Sequence, residues 1–357
     1  MNAPRLFRLG VVTVGLAFAA FARAAAPVLD PAPEGSYTLV VIPDTQGYNG
    51  RATKRDPSST APLTNPVFAN HIRWIRENVA AQRIVFVTHV GDIVDLNNAD
   101  QWRLAKENLD GLRGVVPFGL VVGNHDLESK GSAALFSAHF PAASFRDYPW
   151  YGGTFTSTDP AETALYGDNV NSYQLFSAGG LDFVILHLVC NAPDPVVAWA
   201  SGILDRYRNR RAIISTHMDL GIRLKPVTPE GYVSDEKGRM EWTKVHGKLG
   251  NSPLQLWEKL YRRHAHLDFI FSGDQSRVTA YRLSLPADDG HPVHALMSDY
   301  TSSGPLRLYR FTPSENTVRA ITYDTTKREL TTRTTFVPNP TQHQFMIDYP
   351  MSLPVGR

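Results

Sequence analysis

From residue 36 onward, short apolar runs alternate with stretches of helical spacing, and that alternation restricts the fold more than any other feature. Residues 37–42 predict a buried strand, and Phe68, Ile72, Ile75 and Val79 recur at the three-and-four spacing of an amphipathic helix. Residues 84–90 predict the next strand, 101–112 the next helix and 115–122 a third strand. Strand-helix-strand repetition implies parallel pairing and an α/β core. Residues 171–176 and 181–189 then flank Ser177-Ala178-Gly179-Gly180 as a hairpin, which brings in antiparallel pairing. A helix over 196–208, a strand over 212–216, a helix over 254–265 and a strand over 267–272 continue the alternation. Residues 278–285, 293–299, 306–311 and 318–323 follow as consecutive strands. The expected architecture is α/β, two packed mixed β-sheets flanked by helices, in one domain over residues 36–336. Two aperiodic segments, 148–169 and 220–251, are expected as surface loops, and loops of that length are usually functional or disordered. The tail, 337–357, shows no clear element.

The polar residues that carry chemistry stand at the ends of these strands. Asp44 and Gln46 follow the first, Gly91-Asp92 the second, and Gly123-Asn124-His125-Asp126 the third. His217 follows the strand at 212–216, and Gly273-Asp274 the one at 267–272. Sites in α/β sheets form outside the carboxyl ends of the strands, so the five groups should converge. Each has an ordinary reading when taken singly, because Asp, Asn and Gly-Asp are common turn formers. Five strand ends in succession, each closing on a metal-competent or acid-base side chain, exceed what turn chemistry requires.

This series resembles the calcineurin-like metallophosphoesterases, with the motifs in that family's order over residues 36–325. Pro43-Asp44-Thr45-Gln46 is similar to the first motif of a bacterial exported subgroup, and Gly-Asn-His-Asp is the most specific piece. The resemblance implies hydrolysis of a phosphomonoester or phosphodiester with one or two divalent metal ions. It implies that Asp92 is shared by two metals, that Asp44 serves the first, and that Asn124 and His217 serve the second. His125 resembles the family's non-ligand histidine, which protonates the leaving group or stabilises the transition state, with Asp126 orienting its imidazole. Two divalent cations about 3.5–4 Å apart can bind a phosphoryl oxygen and acidify a water for in-line displacement. Oxygen and imidazole donors together suit Mn, Fe, Zn or Mg.

Two departures from the family pattern bear on the metals. Gln46 stands where the family usually has histidine, and Gly273-Asp274-Gln275-Ser276 stands in place of Gly-His-x-His. A Gln46 carbonyl is a neutral, weaker donor than imidazole, and Ser276 is a poor substitute for histidine. Asp274 can replace the first lost histidine as a carboxylate. The expected second set is therefore Asp92, Asn124, His217 and Asp274, and the first keeps Asp44, Asp92 and Gln46. That asymmetry favours oxygen-loving ions such as Mn or Mg at the first site, or a site filled only when substrate phosphate bridges it. The lost histidines also support an alternative, a catalytically weakened binding protein on the same fold. Retention of His125 and Asp126 favours the enzyme.

The remaining histidines and tryptophans receive structural readings. His89 and His187 lie in apolar runs and are expected in the core; His71, His264 and His266 read as helix-surface residues. His294 precedes a run ending in Asp299 and is placed at the approach to the site from the last sheet. Trp102, Trp199 and Trp257 fall on helical faces and read as core packing.

Residues 1–24 read as a signal peptide. Arg5 and Arg8 precede an uncharged apolar run of about 14 residues, short of the roughly 20 needed to span a bilayer, and Ala22-Arg23-Ala24 closes it. A periplasmic or secreted location is the expectation. Removing three arginines takes the formal charge from +2 to −1, and no nucleic-acid-binding patch is evident in what remains. No later run is long enough for a membrane span, so the expected partner is a phosphate-ester substrate. Cys190 follows an apolar run and reads as a buried thiol.

Overall fold

The computed structural model describes residues 29–128, 131–220, 243–274 and 280–352. Residues 1–28, on which the signal-peptide expectation falls, most of the 220–251 segment, Gln275 and Ser276 lie outside them. The first unit runs β1 (Tyr37–Ile42), α1 (Pro66–Asn78), β2 (Ile84–His89), α2 (Ala99–Leu109) and β3 (Phe118–Leu120). Helix α1 starts where Asn65 accepts the Phe68 amide and Pro66 presets the first helical turn. Then come α3 (Ala134–His139), β4 (Tyr151–Thr154), α4 (Pro160–Tyr166), β5 (Ser172–Ala178), β6 (Leu181–His187), α5 (Asp194–Arg206) and β7 (Arg211–Ser215). The chain continues through α6 (Pro253–Lys259), β8 (Leu267–Ser272), β9 (Ala280–Pro286), β10 (Pro292–Ser298), β11 (Pro305–Thr312), β12 (Thr317–Asp324), β13 (Glu329–Leu330) and β14 (Phe345–Asp348).

Among the described residues two mixed sheets form, as expected, each of seven strands. The first runs β13-β12-β11-β1-β2-β3, with β14 also on β12; the second runs β4-β5-β6-β7-β8-β10-β9. β1, β2 and β3 are parallel to one another, as are β6, β7, β8 and β10. Their carboxyl ends therefore gather at one edge of the sandwich.

Period-two alternation sorts the strands between two cores. Leu39 and Val41 of β1, Phe183 and Ile185 of β6, and Tyr309 and Phe311 of β11 point between the sheets. Val40, Ile42, Val184, Leu186, Leu306 and Leu308 pack with the helices. Aromatic stacking joins the two sheets: Phe271 on Tyr309 at 4.8 Å and Phe86 on Phe176 at 4.9 Å between ring centroids. One polar seam also crosses, where Thr88 donates to the Ser215 hydroxyl at 2.8 Å and lies 2.9 Å from His187 Nε2.

Several expectations are corrected. The 148–169 segment is not structureless, because Tyr151–Thr154 extends the second sheet and Asp159 caps a helix beginning at Pro160. The tail contributes β14, antiparallel to β12 from Thr317 to Ala320, so the first sheet reaches beyond residue 336. His71, His264 and His266 are buried and not helix-surface residues. His71 sits within the α1 stripe formed by Phe68, Ile72 and Ile75 and meets the Thr325 hydroxyl at 2.8 Å. His264 Nε2 meets the Ser201 hydroxyl of α5 at 3.1 Å. His89, His187 and Trp102 are in the core as read, and Trp199 and Trp257 pack against it.

Burial drives the His71 and His187 pKa values down to about 3. Both are neutral in the fold, whereas in the unfolded chain they charge near pH 6.5. The unfolded state then binds more protons between those limits, so stability present above pH 6.5 is lost as pH falls toward 3. The expected slope is at most about 1.4 kcal/mol per pH unit for each histidine. Denaturant unfolding of wild type and His71→Gln between pH 7 and 4.5 checks this, the variant losing less on acidification.

Candidate functional site

Six strands deliver polar side chains to the shared carboxyl edge: β1, β2 and β3 from the first sheet and β7, β8 and β10 from the second. Three of these groups, Asp44, Asp92 and His217, each offer a ligand atom within 4.8 Å of the others, and all are buried. Asn124 Oδ1 lies 3.1 Å from His217 Nε2, and Asp274 Oδ1 lies 3.6 Å from the same nitrogen. Asp92 Oδ1 lies 3.1 Å from it. Three oxygens from three strands thus ring one imidazole nitrogen.

Such close approach requires glycine at the motif positions. Gly91 has φ +96°, and a Cβ there would meet His217 Nδ1 at 2.8 Å. A Cβ on Gly123 would stand 2.4 Å from Asp92 Oδ1, and one on Gly273 2.2 Å from Asp44 Oδ1. The two carboxylates that follow glycine, Asp92 and Asp274, themselves take left-handed backbone, φ 50° and 63°. Non-glycine residues held there store strain, which concentrates at functional sites.

The electrostatics are those of a cluster with too little positive charge. His217 Nδ1 lies 2.7 Å from the Val90 carbonyl and donates to it. In the neutral ring the lone pair of Nε2 then faces three oxygens, an arrangement that needs a proton or a cation between them. Burial disfavours the His217 charge, but Asp92 and Asp44 outweigh it and raise its pKa well above 6.5. Asp92 is held down to about 2, burial being overcome by the charge and hydrogen bond of His217 and by His125. Asp274 is pushed up to about 7 by burial, with Asp92 and Asp299 adding to it against His217. Both oxygens of Asp44 and one of Asp274 are buried with no hydrogen-bond partner. Orphaned carboxylate oxygens beside an imidazole are donors that a divalent cation fits.

His125 borders this cluster. Its amide donates to Asp92 Oδ1 at 2.9 Å, and its Nε2 lies 3.9 Å from Asp92 Oδ2. Asp126 does not orient the ring, contrary to expectation. Its carboxylate is fully buried and accepts the Val94 amide at 3.0 Å and the Gly123 amide at 2.8 Å, fixing the two loops against each other. The ring is instead faced by Asp95, whose carbonyl lies 2.9 Å and carboxylate 3.6 Å from Nδ1. Lys54 reaches the same place, 3.1 Å from both the Asp95 carboxylate and Nδ1. The only sequence signal for Asp95 is its position three residues after Asp92.

Gln46 reaches the centre as well, its amide nitrogen donating to Asp92 Oδ2 at 3.0 Å, and a half-turn of the same amide presents its carbonyl oxygen there. His294 does not approach the site. Its Nδ1 meets the Ser284 hydroxyl of β9 at 2.8 Å, and its ring stacks on Phe269. Asp299, the last residue of that run, is a neighbour of the site that the strand-end motifs do not single out. It is fully buried and lies beside Asp44 and Asp274, whose carboxyls its charge raises. Cys190 is a buried free thiol, as read. Among the described residues, no helix is long and apolar enough to cross a membrane.

Comparison with known proteins places the chain. YvnB of Bacillus subtilis strain 168, described as an uncharacterized protein, is 26% identical over 306 residues, 82% of this chain. The match covers 20% of YvnB, so the chain spans about a fifth of that protein's length. A 5'-nucleotidase precursor from Thermus thermophilus superposes with a TM-score of 0.42 at 14% identity, covering 83% of this chain and 53% of that one. The calcineurin-like phosphoesterase YfkN from Bacillus subtilis gives a TM-score of 0.42 at 12% identity, covering 80% and 85%. Likeness at this level brings no activity to the chain. The model of the calcineurin-like phosphoesterases, by contrast, matches residues 37–277, from the first residue of β1 to beyond Asp274. The chain therefore belongs to the calcineurin-like phosphoesterase family, whose members depend on metal.

Proposed function

We propose that this protein is a metal-dependent phosphoesterase that hydrolyses a phosphomonoester or phosphodiester outside the cytoplasm. The observation that carries the reading is His217 Nε2, ringed by oxygens of Asp92, Asn124 and Asp274 and set beside the partnerless carboxylate of Asp44. Asp92, Asn124, His217 and Asp274 would hold one divalent ion, with Asp44 and Asp92 serving a second. A cation there supplies Lewis-acid polarisation of a phosphoryl oxygen and lowers the pKa of an attacking water. His125 stands at the rim, a quarter exposed, where its Nε2 can reach a leaving-group oxygen. Burial lowers its basicity, but the Asp95 hydrogen bond and the Asp92 charge outweigh this, so the ring holds its proton above the ordinary histidine range. A protonated imidazole at that position serves as general acid. The apolar leader pattern of residues 9–22 supports the extracytoplasmic location.

The test is hydrolysis of an aryl phosphate and a bis-aryl phosphodiester by metal-stripped protein resupplied separately with Mn²⁺, Mg²⁺, Zn²⁺ or Fe²⁺. Turnover should return with at least one ion. If no ion restores it, the chain is a binding protein on this fold.

A further inference from the structure

The turn after β10 closes on the metal centre from the second sheet. β10 and β8 run parallel with Met297 opposite Ser272, so Asp299 stands two residues past its register partner, as Asp274 does past its own. Tyr300, Thr301 and Ser302 all take left-handed backbone, φ 51°, 33° and 54°, which non-glycine residues adopt only under constraint. The constraint comes from Asp44. The Ser302 amide and hydroxyl both donate to the Asp44 carbonyl, at 3.1 and 3.2 Å, and the Gly47 amide donates to the Ser302 hydroxyl at 2.9 Å. Within the turn, Asp299 Oδ1 accepts the Thr301 amide at 2.8 Å and the Thr301 hydroxyl at 2.6 Å.

These contacts hold the turn that carries the fully buried Asp299 on the Asp44 backbone, and the two carboxylate oxygens of Asp44 are themselves buried with no partner. Four carboxylates, those of Asp44, Asp92, Asp274 and Asp299, thus crowd one buried edge. Like charges in a desolvated site repel unless protons or a cation neutralise them.

We propose that Asp299 is a metal-centre residue, the carboxylate that completes the Asp44 side of the centre where Gln46 brings an amide donor. The inference rests on the reading of this edge as a metal site. A second side rich in carboxylates selects hard, oxygen-loving divalent ions of the Mn²⁺ and Mg²⁺ class.

The experiment is calorimetric titration of the metal-stripped full chain with Mn²⁺, together with thermal unfolding without metal, for wild type, Asp299→Asn and Asp299→Ala. Asparagine keeps an acceptor oxygen for Thr301 and removes the charge. Asp299→Asn should lose one bound Mn²⁺ per chain or weaken its binding about 10–100-fold. Its metal-free melting temperature should rise, because a buried repulsion is gone. If Asp299 only caps the turn, Asp299→Asn will bind Mn²⁺ as wild type does and melt no higher, with losses confined to Asp299→Ala; that result overturns the proposal. Should Asp299→Asn not fold, Asp299→Ser, smaller and still an acceptor, carries the same comparison. A wild-type chain that binds Mn²⁺ but hydrolyses nothing removes the catalytic reading and leaves this one. Wild-type binding by Asp299→Asn does the reverse, and a wild-type chain that binds no Mn²⁺ removes both.

Discussion

Asp92→Asn is expected to lower hydrolysis roughly 10³-fold or more and to abolish the stabilisation that a divalent metal confers. Asp92 is where the contacts of the centre meet: Oδ1 takes the His125 amide and faces His217 Nε2, and Oδ2 takes the Gln46 amide. Asparagine offers one acceptor oxygen and one NH₂. With its oxygen toward His125, its NH₂ faces the Gln46 side-chain amide, which can turn to accept it; flipped, it confronts the His125 backbone amide. The hydrogen bonds can thus be kept in the first pose, but the charge that balances a cation is lost in both. Lewis-acid stabilisation of several kcal/mol disappears with the ion, and about 1.4 kcal/mol corresponds to each tenfold in rate. Wild type should gain about 2.7 kcal/mol of stability at a metal concentration a hundredfold above Kd, and the variant none. Scanning calorimetry with and without Mn²⁺ checks both halves. A variant that still melts higher with metal would remove Asp92 from the centre.

His125→Ala should cost about 10²–10⁴-fold in turnover, the usual worth of a general acid, with Mn²⁺ binding unchanged. The separation of the two readouts follows from position. The imidazole stands at the rim, 3.9 Å from Asp92 through Nε2, and its Nδ1 side is occupied by Asp95. It can therefore reach a leaving group without holding the ion. Full turnover by the variant would end that assignment, and loss of Mn²⁺ binding would move His125 among the ligands. Removing the neighbouring carboxylates separates their duties. Asp95→Asn should take part of the catalytic loss with it. Asp126→Ala should appear as a folding defect of about 1–3 kcal/mol for each backbone amide left without its acceptor, those of Val94 and Gly123.

Much of this centre was legible in the chain because two local signals coincide at each position. An apolar run of strand length places a residue at a sheet's carboxyl edge, and a side chain able to bind metal or protons gives that edge chemistry. Asp44, Asp92, Asn124, His217 and Asp274 satisfy both, and the fold brings them to one place. Asp126 carried the same signals but turned inward to two backbone amides, which only the packing of the β2 and β3 loops against each other decides. Asp95 carries no such pair of signals, because nothing nearby in sequence says that a histidine thirty residues later will face it. His71 misled for a related reason: imidazole is polar enough to read as surface, yet its slot lies between apolar neighbours one turn away on α1.

Strand and helix periods, the glycines at the strand ends and the set of polar side chains are properties of short stretches, so the sequence by itself determined a layered α/β fold and which residues gather at most of its polar edge. Tertiary structure alone decided that β11 lies beside β1 and β10 beside β8. That pairing sets Ser302 on the Asp44 backbone and brings the Asp299 carboxylate into the centre. The first of these choices depends on contacts some 260 residues apart in the chain, 258 between Ser302 and Asp44. Long-range pairing of this kind leaves no mark in local periodicity, because its energy comes from desolvated packing between sheets rather than from the propensities of either segment.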